Sequence, residues 1–239
     1  MTDGRDLPPG SAGYPPGAPR ATRASASGSN GTRPATTGDV TVTTAFAPRR
    51  DAETTRPPVS ALRYETPSAL YAELPQVAQL TQHRPRPDEE SLAYLDRLRA
   101  SDTPEEALTF AAFAALPKMA IWWGYECVRT GGCALGQEER ALMDLVAAWT
   151  VRSDAETRFR TMREGLYAPM RTPPVFLALA VGWSGGPIAP NDPAPVPAWR
   201  TPRAVNTAVL SCLAQAGLSE RQTRLARFTE QAVALFRTA

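Results

Sequence analysis

Acid pairs such as Glu105-Glu106 and Glu138-Glu139, three cysteines, one histidine and a serine set among glycines are the residues of this chain that a catalytic site would use. Paired carboxylates work as general acid and base only where both face one cleft. Glu105-Glu106 and Glu138-Glu139 each fall in the first turn of a helical pattern, where the helix dipole favours negative charge, so capping accounts for them. Cys127 and Cys133 are too far apart for a Cys-x-x-Cys redox or zinc pair, and no other Cys or His motif completes a site. Three cysteines leave one over however they pair, so no disulfide framework is expected. Cys127 and Cys212 lie on apolar stripes and read as small core residues. Cys133, after Gly131-Gly132, reads as more exposed. A multi-histidine metal site is excluded, and His83 sits between prolines in what reads as a solvated linker. Trp183-Ser184-Gly185-Gly186 lacks the leading Gly-x of a serine nucleophile turn. Its glycines follow a helix, so they read as a C-cap and not as a phosphate-cradling loop. The expectation is no catalytic residue, no cofactor site and no metal site.

What remains is aromatic. Leu116 to Cys133 reads as one short helix with Pro117 at its first position and Gly131-Gly132 as its left-handed close. At 3.6 residues per turn, Ala120, Trp123, Gly124, Cys127 and Val128 share the core side. Trp122 lies opposite, among Lys118, Glu126 and Arg129. A second aromatic feature is the proline-dense stretch from Trp183 to Trp199. Tryptophan and arginine are favoured interface anchors, so the candidate partner-binding residues are Trp122, Glu126, Arg129, Trp183, Ser184, Gly185, Gly186, Pro190 and Trp199. The competing expectation is that this loop packs back on its own domain, with Trp183 and Trp199 as lids over helix ends.

These residues need elements to hold them. Residues 1–66 are rich in Pro, Gly, Ser, Thr and Arg and poor in large apolar residues, the composition of a disordered arm. Asp39 to Phe46 within it alternates like a strand. Residues 67–87 read as a short helix ended by Pro75 and a stiff linker. Residues 88–239 read as helix after helix. Leu92, Leu95 and Leu98 mark the first of these. Thr103-x-x-Glu106 is a capping box before an all-apolar helix. Leu142, Leu145, Val146 and Trp149 form an amphipathic stripe, and Ser153-x-x-Glu156 and Ser219-x-x-Gln222 read as further caps. No stretch outside the arm reads as a strand. The expected fold is all-α, a compact bundle of about seven or eight short helices.

Composition limits the partners. The formal net charge is +2, too small a field to argue for nucleic acid. The longest apolar run, Val175 to Trp183, is about half of a membrane span. With no apolar signal core at the N-terminus, a reduced cytoplasmic protein is expected.

Leu116-Pro-Lys-Met-Ala-Ile-Trp-Trp123 with Cys127-Val-Arg129, Trp183-Ser-Gly-Gly-Pro-Ile-Ala-Pro190 with Pro195-Val-Pro197, and Thr201-Pro-Arg-Ala-Val205 together resemble a bacterial family of small helical proteins of unknown function. The resemblance covers about residues 88–238 and implies an association with type VI secretion gene clusters. It carries no catalytic residues. The function it suggests is a non-enzymatic adaptor, chaperone or accessory component that binds a protein partner. The alternatives are an enzyme or enzyme subunit with a carboxylate- or cysteine-based site, and an immunity protein that neutralises a toxin.

Overall fold

The computed structural model describes residues 61–189 and 191–237. The expected arm up to residue 60, its strand-like segment 39–46, and Pro190 lie outside the described residues. Among the described residues nine α-helices run in order: α1 (Pro67–Glu73), α2 (Ser91–Arg99), α3 (Glu106–Ala114), α4 (Pro117–Thr130), α5 (Gln137–Arg152), α6 (Ala155–Tyr167), α7 (Pro173–Trp183), α8 (Arg200–Ala214) and α9 (Leu218–Arg237). A short 3-10 turn, Pro75–Gln79, follows α1. The all-α expectation holds, with eight helices from Ser91 onward and α1 packed on the same core through Leu70.

Two helices form the centre because their sequences leave them no polar face. Every residue of α3 is buried, and α7 is buried from Pro173 to Gly182 except at Phe176. Apolar surface on all sides is stabilised only by neighbours on all sides. Thus α7 packs against α5, α6 and α8, and α3 against α2, α8 and α9. The interior polar groups are matched. Trp123, fully buried, donates its indole N–H to the Phe228 carbonyl at 3.1 Å, joining α4 to α9. The Thr109 hydroxyl donates to Asn206 Oδ1 at 3.2 Å, joining α3 to α8. Tyr94, Phe110 and Phe236 stack edge to face across α2, α3 and α9, the arrangement their ring quadrupoles favour.

Several local expectations are corrected. Ser153 does not cap α6. It takes a left-handed conformation (φ 54°) that closes α5, and Asp154 is the cap, its Oδ1 accepting the Thr157 N–H at 2.7 Å. Ser219 lies inside the first turn of α9, where the N–H groups of Glu220 and Arg221 donate to the Gly217 carbonyl. The proline-dense loop holds a small antiparallel hairpin, β1 (Pro187–Ala189) with β2 (Asp192–Pro195), against the expectation of no strand. Proline is tolerated there because a two-stranded ribbon has open edges that need no N–H.

Candidate functional site

Along α4 the exposed side carries Lys118, Trp122 and Glu126 at four-residue intervals, one above another on the helix surface. Trp122 is 43% exposed, while Trp123 beside it is fully buried. Trp122 stands over an open groove of about 640 Å³ between α4, α5 and α9, lined also by Met119, Gln231, Ala234 and Leu235. Glu126 at its edge is engaged by Arg129, whose Nη2 donates to Oε2 at 2.5 Å. The hydrogen bond it donates to Glu126, and then the Glu126 charge, push the Arg129 guanidinium further up. Lys118, the only lysine in the chain, has no ion-pair partner among the described residues. The groove therefore has an apolar floor, an unpaired cation and a neutralised pair at its rim. That composition suits docking of an apolar side chain.

Trp183 and Trp199 belong to a different place. Both are half-buried and packed against the core. The Trp183 indole N–H donates to the Ile188 carbonyl at 3.1 Å, and its carbonyl accepts the Thr201 hydroxyl. Arg200 lies over Trp183 and Arg203 over Trp199, with centroid distances of 4.8 and 5.7 Å. A depression of about 280 Å³ separates the two rings, and it shares no lining residue with the Trp122 groove. The structure thus divides the predicted partner-binding residues into two surfaces, with Pro190 undescribed.

Ser184, Gly185 and Gly186 have an internal task. Ser184 Oγ donates to the Val181 carbonyl at 2.7 Å. The Arg158 guanidinium from α6 reaches across to the carbonyls of Gly182 and Gly185, satisfying the open end of α7. Burial draws this guanidinium below its ordinary value. Gly186 takes φ +71°, and a Cβ there would lie 2.4 Å from Arg158 Nη2, so both the turn and the arginine require glycine. The C-cap reading of this motif holds, and its cap is a distant arginine that sequence spacing does not reveal.

Two features escape the sequence altogether. His83 is not a solvated linker residue. Its Nδ1 lies 3.2 Å from Glu106 Oε2 and its Nε2 3.5 Å from Asp102 Oδ1. Glu106, buried, accepts the N–H groups of Gln82 and His83 at 2.8 and 3.1 Å, and the Thr103 hydroxyl at 3.0 Å. Burial pushes its carboxyl up, but these donors outweigh burial and hold it below the ordinary carboxylate value. So Thr103-x-x-Glu106 is not a capping box; α3 begins at Glu106, whose carboxylate ties down the 82–83 segment instead. The second feature is a disulfide between Cys133 and Cys212, against the expectation of reduced core cysteines. Cys127 is the free, buried thiol. Exposed Tyr167 and Met170, near the α6–α7 connection, also carry no sequence signal of their exposure.

Among the described residues no group of three or more His, Cys, Asp or Glu could hold a metal ion, and no helix is long and apolar enough to cross a membrane. The fold and its surfaces define an all-α bundle with an exposed tryptophan groove. The chain belongs to a family of unknown function (DUF6931), whose profile matches residues 94–236, from α2 to the end of α9. No curated protein and no solved structure matches it.

Proposed function

We propose that this protein is a non-enzymatic interaction protein whose α4 face binds a protein partner, as an adaptor, chaperone or accessory component. The observation that carries the reading is Trp122, 43% exposed over an apolar groove in a domain that buries Trp123 and half-buries Trp183 and Trp199. An exposed ring of this size is costly in water and favourable once a partner covers it. The ionisable groups lining the groove are Lys118 and Glu126, and Glu126 is held by Arg129, a composition that favours docking over acid–base chemistry. Placement in a type VI secretion apparatus rests on the motif resemblance alone.

The test is affinity purification of the tagged chain from its native host, comparing wild type with Trp122→Ala and Trp199→Ala. Sheath, spike or effector proteins recovered by wild type should be lost with Trp122→Ala, consistent with about 2 kcal/mol or more for a central aromatic anchor. Trp199→Ala should retain them. An unchanged set of partners with Trp122→Ala would reject the groove, and recovery of the protein alone would reject a stable adaptor.

A further inference from the structure

All three cysteines of the chain meet at one place. Cys133 lies on the connection from α4 to α5, Cys212 on the last turn of α8, and their Cα atoms are 6.3 Å apart across the disulfide, within ordinary reach of such a bond. Cys127, six residues before Cys133 on α4, donates its thiol to Gln231 Oε1 at 3.4 Å, and its carbonyl lies 3.9 Å from Cys212 Sγ.

The two halves of the bond are unequal. Cys212 is fully buried. Its sulfur is shielded by Gly131, where a Cβ would lie 2.6 Å from Sγ and 2.9 Å from the Phe228 ring. Cys133 is half-buried, between exposed Gly132 and exposed Ala134. Cys133 is therefore the half of the bond nearer to solvent. Cys127 does not compete: burial, and then the Glu126 charge, push its thiol well above the ordinary value, and a protonated thiol is a poor nucleophile. Cys133 and Ala134 make no hydrogen bond among the described residues, so the disulfide is the covalent tie of this connection to α8, beside the packing of Leu135 on the core.

We propose that the Cys133–Cys212 disulfide is a site of reversible exchange with small-molecule thiols, attacked at Cys133, and that it clamps the α4–α5 connection onto α8. An external thiolate attacks Cys133 Sγ. The S–S bond breaks with its electron pair on Cys212 Sγ, which takes up a proton, and Cys133 carries the mixed disulfide. A second thiolate then attacks the small-molecule sulfur. It forms the external disulfide and releases Cys133 as a thiolate that is protonated in turn. The protein disulfide gains two electrons and two external thiols lose them. Reduction frees the connection beside Thr130, Gly131 and Gly132, which form one wall of an open pocket of about 360 Å³ lined also by Arg224 and Arg227 of α9.

The test uses the full chain purified without reductant, glutathione as the thiol, and iodoacetamide alkylation read by peptide mass mapping. Unfolded without reductant, the protein should expose one alkylatable cysteine, Cys127, and yield a cross-linked Cys133–Cys212 peptide; three alkylatable cysteines would overturn the proposal. After glutathione treatment of the native protein, Cys133 should be alkylated at least about tenfold faster than Cys212, following its access to solvent. Equal rates would overturn the directed attack, and a native bond that glutathione leaves intact would overturn exchange. Cys212→Ser incubated with oxidised glutathione should carry one adduct at Cys133, and Cys133→Ser none at Cys212. The wild-type alkylation rates decide the matter if either variant fails to fold.

Discussion

Glu106 carries a buried negative charge, and four groups converge on it: two backbone N–H groups, a hydroxyl and the His83 Nδ1. Glu106→Gln keeps the shape but turns one accepting oxygen into a donor facing donors. The loss should be about 1–3 kcal/mol, the cost of leaving a buried group unsatisfied. The sign with pH follows from the depressed folded value. The stabilisation is fully present above the ordinary carboxylate value of 4.5 and is lost as pH falls through the folded one. The melting-temperature gap between wild type and Glu106→Gln should therefore be widest near neutral pH and close on acidification below the ordinary carboxylate value of 4.5. A gap independent of pH would mean that the ionised carboxylate is not its source. The Thr103-x-x-Glu106 spacing was visible in the sequence, but a local rule assigned it a local role. Two of its partners, Gln82 and His83, stand more than twenty residues upstream, beyond the range of any capping pattern.

Helices were the most legible level, because periodicity is written along a single element. The two sides of α4 separate as the wheel of 3.6 residues predicts, down to opposite fates for Trp122 and Trp123. The nearly all-apolar composition of α3 and the very apolar run of α7 agree with their burial. What periodicity does not carry is the distance between elements. Gly182, near the end of α7, marks one such contact: a Cβ there would lie 2.4 Å from Cβ and Cγ of the buried Met162 on α6. Gly182→Ala would gain up to about 1 kcal/mol of helix propensity. It would also push α6 from α7 at an overpacking cost of about 1–3 kcal/mol, occasionally more. Because the clash reaches the Cβ of Met162 and not a flexible tip, the cost wins. Net destabilisation by denaturant titration is expected. If the single variant is more stable than wild type, α6 and α7 are not packed this closely. The hairpin was missed at this level for another reason: prolines at four of its positions hide the alternation by which strands are recognised.

At the scale of the whole molecule, the sequence yields faces but not which faces meet. Cys127 and Cys212 both fall on buried stripes as expected. That Cys133 reaches Cys212 depends on how the end of α4 packs beside α8, and counting three cysteines gives no access to it. The same packing makes the bond matter for stability, because it joins residues 79 apart and closes α5, α6, α7, the hairpin and most of α8 into one loop. A cross-link of this span removes loop entropy from the unfolded chain, about 4.5 kcal/mol in the chain-entropy model, with typical measured values of about 2–4 kcal/mol. Unfolding in the presence of a phosphine reductant should lower the melting temperature by about 5–15 °C for a domain of this size. Cys133→Ser should melt with the reduced wild type and be insensitive to reductant. Equal melting of oxidised and reduced wild type would mean that packing of α4 against α8 and α9, through Gly131, Phe228 and the Trp123 indole, holds this end of the bundle without the bond. The disulfide would then serve exchange alone.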